Sequence, residues 1–173
     1  NSVQDLDISA SYSKVMVDKA DNVGFTGKYG NYTFNKVQTL SVKGSTSGDF
    51  KIGSINDMTG SLQYADITID NLNSSIITTC DYSDIQINSI SSKANVDVKG
   101  RYSDISLGIP NNVGASFDVS LKSGNLNIGK MYKVNYTEQS EIKNQKVKKG
   151  QIGSKKPTAT ITISNTYANV KFQ

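Results

Sequence analysis

Acidic and amide side chains recur along this chain at steps of 17 to 21 residues, with one step of 44 near the end. The positions are Asn31, Asp49, Asp66, Asp84, Asp104, Asn125 and Asn169. Carboxylates stacked at about 5 Å would resemble the oxygen ligand sets of Ca²⁺ sites. Calcium-binding β-rolls, however, repeat about every nine residues, with several Gly and Asp per turn. This chain has one such residue at about twice that period, so we predict a structural role in which these side chains cap turns.

Tyrosine occupies the position two residues before most of these sites. Five tyrosines, Tyr29, Tyr64, Tyr82, Tyr102 and Tyr167, precede these sites, and a sixth, Tyr12, precedes Lys14 at the same spacing. An exposed aromatic row would suggest a sugar-stacking or adhesion surface. Each tyrosine, however, lies an even number of residues from the Val and Ile residues expected to face inward, and that parity places it on the same face of a strand. We therefore predict that the rings cover the corner of the core, with their hydroxyls reaching water or backbone.

Other residue types that carry chemistry are scarce. The chain has no His and one Cys, which removes the commonest general base and any multi-cysteine metal site. Cys80 has inward parity, in register with Leu62 and Gly100, so it is predicted to be a small buried hydrophobe. Arg101 is the only arginine, and no Asp, Arg and Lys residues converge in sequence. We expect no catalytic residue, no metal and no cofactor.

The basic residues are concentrated in one segment. The chain has 19 basic and 15 acidic residues, a net charge of +4, and eight lysines between Lys130 and Lys156 oppose two glutamates. The rest is near neutral, so the charge does not suggest a nucleic-acid partner. A solvated charge run is the simplest interpretation, and the alternative is a site for an anionic partner such as a glycan or a lipid headgroup. The candidate residues for that site are Lys143, Lys146, Lys148, Lys149, Lys155 and Lys156.

These positions lie in a six-residue phrase that recurs along the chain. The phrase consists of an aromatic residue or Ser, a small residue, an Asx or Lys, an apolar residue, any residue and a second apolar residue. Its copies are YSKVMV, YGNYTF, SGDFKI, YADITI, YSDIQI, YSDISL, SGNLNI and YANVKF. The apolar pair alternates as in a strand with one buried face, and a second alternating strand precedes the phrase. In the copy before Asp49 the pattern slips by one, at Leu40, Val42 and Gly44, which predicts a bulge.

Like positions that recur at a fixed period predict a β-solenoid, whose coils stack at roughly 4.8 Å. We predict one all-β domain over residues 1–173. It is a single-stranded β-helix of about seven to eight short coils, with a β-hairpin or loop inserted at about 129–157. The alternative is a β-sandwich, which also has short strands at regular spacing. A sandwich gives no reason for the same small-Asx pair to recur in every unit.

The repeat Y-S-D-I-x-I, the Ser/Thr-rich coils and the ending GQIGSKKPTATITISNTYANVKF resemble the bacterial adhesin-like β-helix domains, exported domains of unknown function found widely in Bacteroidetes. The resemblance covers nearly the whole chain. This chain departs from the pattern at Ser154, Lys155 and Lys156, and at Ala65 and Ala168, where glycine is common. The resemblance implies a right-handed solenoid, export to the periplasm, outer membrane or cell surface, and no catalytic residues. The name adhesin rests on analogy of fold, which does not establish function.

We therefore expect a non-enzymatic, exported structural or binding module of the cell envelope, with a glycan or another envelope protein as its partner. No segment is apolar enough for a membrane span. The alternative is a carbohydrate-binding or carbohydrate-active β-helix, which acids converging in a cleft would favour. The chain opens with Asn1 rather than Met, so we expect an N-terminal segment to have been removed or left out.

Overall fold

The computed structural model of the chain describes residues 3–153 and 155–173, without the side chains at 44 and 45. Fourteen strands form one sheet that coils on itself. The strands are β1 (Val3–Ser11), β2 (Lys14–Lys28), β3 (Gly30–Thr46), β4 (Gly48–Gln63), β5 (Ile67–Asp81), β6 (Ile85–Ile87), β7 (Asn95–Arg101), β8 (Ile105–Leu107), β9 (Ala115–Lys122), β10 (Leu126–Ile128), β11 (Val134–Ile142), β12 (Gln145–Ile152), β13 (Ala159–Thr166) and β14 (Val170–Phe172). Asn1, Ser154 and the inward position predicted for Gly44 lie outside the described residues.

Equivalent residues of successive coils pair in parallel and in register, as the repeat predicts. Ile67 pairs with Ile85, and Ile85 pairs with Ile105 on the next coil. The chain forms a β-solenoid of about six turns. This confirms the predicted fold class over the sandwich. The predicted seven to eight coils differ slightly from this number of turns.

The core is a column of apolar side chains from alternate positions of each strand, as in Val96 and Val98 of β7. Near the N-terminal end it holds an aromatic cluster of Phe25, Tyr32, Phe34 and Phe50, whose neighbouring ring centroids lie 4.5 to 6.3 Å apart. The predicted bulge is present as a register shift between Val42 and Thr46.

One member of this cluster contains a buried polar atom. The Tyr32 hydroxyl has no hydrogen-bond partner among the described residues. Because an unsatisfied buried hydroxyl is destabilising, Tyr32→Phe should raise the free energy of unfolding by about 1 kcal/mol, measured by urea denaturation. The control is Tyr132→Phe, since the Tyr132 hydroxyl donates to the Ile109 carbonyl at 2.8 Å and its loss should lower stability. A fall in stability for Tyr32→Phe would contradict the prediction.

The order of the coils in space differs from their order in the chain. After β10 the chain leaves the solenoid as an antiparallel hairpin of β11 and β12, and β12 pairs antiparallel with β9. The chain then returns, and β13 lies between β7 and β9, parallel to both. Likewise β14 lies between β8 and β10. The hairpin predicted near the C-terminus is therefore present, and it covers the end of the long-strand sheet that β9 would otherwise leave open. At the other end of the strand order is β1, which pairs with β2.

Candidate functional site

The corner tyrosines point outward, which contradicts the prediction from parity. Their side chains are 43 to 81% exposed. All six have a positive φ, between 51° and 59°. A residue in the left-handed conformation interrupts the alternation of the strand, so the rule that every second residue lies on the same face does not hold across it. The small residue that follows takes the inward position instead, as at Ala65, Ser83 and Ser103, which are buried.

The exposed rings stack on one another along the solenoid. Four of them, Tyr64, Tyr82, Tyr102 and Tyr167, form a continuous series that we call the tyrosine stack. Its ring centroids lie 5.2, 4.8 and 5.1 Å apart, and adjacent rings are inclined by only 10 to 12°. A second pair, Tyr12 and Tyr29, stacks at 5.2 Å. The result is a row of ring edges and hydroxyls on one corner of the molecule.

The backbone does not require tyrosine at these corners. A left-handed residue with a side chain costs roughly 1–2 kcal/mol, and Gly or Asn would avoid most of that cost. Ser123 adopts the same conformation, with φ of 56°, and therefore forms the corner without a ring. A stacked aromatic pair contributes about 0.5–1.5 kcal/mol, which offsets the strain without exceeding it by much. The tyrosines thus add an exposed aromatic surface at little net gain in stability.

The Asp and Asn residues form a second row that links the coils. The Asp66 Oδ1 accepts a hydrogen bond from the backbone N–H of Asp84 at 3.1 Å, and the Asp84 Oδ1 accepts one from Asp104 at 2.8 Å. The series continues from Asp104 to the N–H of Asn169 at 2.7 Å, and from Asn169 to that of Asn125 at 3.1 Å. These bonds agree with the structural role predicted, but each side chain caps the next coil rather than its own turn.

Replacement of one member tests this linkage. In Asp84→Ala the N–H of Asp104 loses its acceptor, so we expect the free energy of unfolding to fall by about 1 kcal/mol. Asp84→Asn keeps a side-chain oxygen in place, as Asn169 does, and should stay close to the parent chain. Urea midpoints of the three proteins provide the measurement. Equal loss in both variants would mean that charge, and not the hydrogen bond, is responsible.

An open groove of about 590 Å³ runs beside this row, across the short strands. Its polar lining residues are Asp66, Thr68, Asp84, Gln86, Asp104, Ser106, Asn127, Asn169 and Lys171. Because these carboxylates, amides and hydroxyls follow one another coil by coil, they can hydrogen bond to an extended, hydroxyl-rich ligand. Within the described residues, no group of three or more His, Cys, Asp or Glu side chains is arranged to hold a metal ion.

The lysines proposed as an anionic-partner site lie on the hairpin of β11 and β12 and on the segment that follows it. Lys149 lies 3.3 Å from both Asp118 and Glu138, and Lys146 lies 3.3 Å from Glu141. Lys148 is on the same strand, β12, whereas Lys143 lies in the hairpin turn and Lys155 and Lys156 follow the hairpin. An anionic partner for these residues stays a prediction.

Cys80 is buried and pairs in register with Leu62 and Gly100, as predicted. Burial raises the pKa of its thiol from 9.0 to about 11. Between pH 9 and pH 11 the Cys80 thiol loses its proton in the unfolded chain but keeps it in the folded chain. The contribution of the thiol to the free energy of unfolding is therefore fully present below pH 9 and is lost as pH rises through 11. We expect unfolding midpoints in urea to fall more steeply with pH in this range for the parent chain than for Cys80→Ala. Parallel pH profiles would contradict this.

Comparison with known proteins adds no identification: a scan against protein-family models and searches of curated proteins and of solved structures found no match to this chain. In the described residues there is no helix long and apolar enough to cross a membrane.

Proposed function

We propose that this protein is a non-enzymatic, exported β-solenoid that serves as an adhesin-like structural or binding module at the cell envelope. The observation that carries the proposal is the tyrosine stack, an ordered and exposed aromatic row. Exposed aromatic residues are enriched at binding surfaces because they provide a large contact area at a low cost in conformational entropy. The resemblance of the repeat and of the C-terminal sequence to exported adhesin-like domains supports the proposed location at the cell envelope.

The arrangement of the surface suits binding to an extended partner. The tyrosine stack and the groove both run across successive coils, so both present one set of contacts per coil. Tyr82 and Asp84, for example, are two residues apart on the same coil, and Tyr102 and Asp104 repeat them on the next. A partner with its own repeating units can therefore add contacts in proportion to the length bound.

A carbohydrate-active β-helix is the second candidate, because three carboxylates, those of Asp66, Asp84 and Asp104, lie in the groove. Each of them accepts a hydrogen bond from a backbone N–H of the neighbouring coil, so each helps to hold the coils together. Glycosidases need a pair of carboxyl groups on opposite sides of the scissile bond. Carboxylates that follow one another coil by coil in a single row, each already bonded to the next coil, favour binding over hydrolysis.

The test is a solid-phase binding assay of the purified chain on two panels, arrayed glycans and outer-membrane vesicles from a Bacteroidetes species. We expect binding to at least one panel, and its loss in the Tyr82→Asn/Tyr102→Asn variant, since Asn tolerates the left-handed backbone. The matched control is Thr162→Ala/Ser164→Ala on an exposed face of β13. Binding to neither panel would refute the proposal. New reducing ends released from the glycans would replace it with the enzymatic alternative.

A further inference from the structure

The row of exposed tyrosines is interrupted at one inner coil. Tyr29 and Tyr64 belong to coils that are two steps apart, and the coil between them has Ser47 and Gly48 at its corner. Gly48 has a φ of 115°, so it makes the bend without an aromatic residue. The Ser47 hydroxyl accepts a hydrogen bond from the backbone N–H of Tyr29 at 3.2 Å. A small, hydrogen-bonded side chain therefore stands where the repeat would place a ring.

Exposure shows that the two flanking rings each leave a face uncovered. Tyr82 and Tyr102 have a ring on both sides and are 45% and 43% exposed. Tyr29 and Tyr64 each stack on one neighbour and are 64% and 62% exposed. Tyr29 and Tyr64 are therefore more exposed than the rings with a partner on both sides, and also more exposed than Tyr167, which stacks on Tyr102 alone and is 49% exposed.

The width of this interruption matches one ring. Two coil steps at roughly 4.8 Å separate the flanking positions by about 10 Å. A ring placed midway would lie about 5 Å from each tyrosine. That distance is close to the 4.8 to 5.2 Å found between rings that do stack in this protein. We call the space between Tyr29 and Tyr64 the ring slot.

Polar side chains lie beside the ring slot. Asn31 follows Tyr29 by two residues and Asp49 follows Ser47 by two, a reach of at most about 7 Å. Both line a hollow of about 260 Å³ together with Lys14, Thr33 and Lys51. A ligand ring in the slot would therefore have the Asn31 amide and the Asp49 carboxylate near its edge, with the hollow extending beyond them. Such a border suits a ring that carries several hydroxyls better than the apolar ring of an aromatic side chain.

We propose that the ring slot binds one pyranose ring of a glycan, held between the faces of Tyr29 and Tyr64, with its hydroxyls bonded to Asn31 and Asp49. This inference rests on the proposed binding function and specifies its ligand class and position. The tyrosine stack would then contact further parts of the same chain of sugars. The slot differs from the rest of the row because both of its ring faces are available.

The experiment measures affinity on the glycan array, with Tyr29→Asn and Tyr64→Asn as slot variants and Thr162→Ala/Ser164→Ala, on the exposed face of β13, as the control. Each slot variant should weaken binding about tenfold, because one stacking face is lost, whereas the control should change it roughly twofold or less. Circular dichroism and urea midpoints confirm that the variants are folded. A ¹³C-labelled tyrosine spectrum should show the bound glycan shifting the Tyr29 and Tyr64 ring signals.

The outcomes separate this inference from the proposed function. If binding is lost in Tyr82→Asn/Tyr102→Asn but kept in both slot variants, the ring slot is wrong and the binding function stands. If vesicles bind in a tyrosine-dependent way and no arrayed glycan does, the glycan slot is again refuted while the function stands. If the wild-type chain binds neither panel, both proposals fail. Shifts of the two ring signals with p-cresol but with no glycan would identify an aromatic partner and overturn the sugar assignment.

Discussion

Removal of residues 159–173 should leave the preceding coils folded and residues 115–152 unfolded. In the intact sheet β9 and β12 connect to the rest of the molecule through β13, which bonds β7 on one side and β9 on the other. The deletion also removes buried Ile161, Ile163, Val170 and Phe172. Hydrogen exchange followed by mass spectrometry should show near-complete loss of protection over 115–152 and retained protection over 14–81.

The control for this deletion keeps the C-terminal coil and removes the hairpin instead. Replacement of residues 134–152 by a short Gly/Ser linker deletes β11 and β12 but leaves β13 between β7 and β9. We expect a smaller effect, confined to the exposed edge of β9. If residues 115–152 of the truncated chain stayed protected, the inserted strand would not be the connection that we infer.

Phe50→Ala should cost about 3–5 kcal/mol of the free energy of unfolding, the largest effect of any single substitution considered for this protein. Phe50 is buried, and its ring lies 5.4 Å from Phe25, 5.0 Å from Tyr32 and 6.3 Å from Phe34. Truncation to Ala leaves a cavity among large rings, which cannot collapse easily because their backbone is fixed by hydrogen bonds on both sides. The urea midpoint and its slope provide the measurement.

The neighbouring Lys51 supplies the matched control, since it lies on the same strand and is exposed. Lys51→Ala should change stability by less than about 0.5 kcal/mol. A Phe50→Ala protein as stable as Lys51→Ala would show that the aromatic cluster does not hold the first coils together. A changed slope would instead indicate partial unfolding of that end.

The sequence predicts the solenoid because the same residue types return in register, and the structure confirms this at positions such as Ile67, Ile85 and Ile105. The orientation of the tyrosines could not be predicted from strand alternation, because a residue in the left-handed conformation changes which of the following residues face the core. The signal that was available is the small residue after each tyrosine, as at Ser83 and Ser103, which must fit inside the corner.

The insertion of the last coil could not be predicted from the repeat at all. When every coil presents a similar pattern of apolar residues, the pattern does not specify which coil lies next to which. The choice is made by the connections, here a hairpin that pairs with β9 and returns the chain beside β7. The ring slot was equally hidden, because Ser47 is significant only once Tyr29 and Tyr64 are known to face outward.

The inserted coil also determines how this molecule would resist tension. A force applied at Gln173 acts on a strand held along both edges, because β14 pairs with β8 and with β10. Gln173 itself donates to the Leu107 carbonyl at 2.8 Å and accepts from the Ile109 N–H at 3.0 Å. A force applied near the N-terminal end acts on β1, which pairs with β2 alone among the described strands. The C-terminal attachment should therefore be the mechanically strong one, and the N-terminal strand should peel away first.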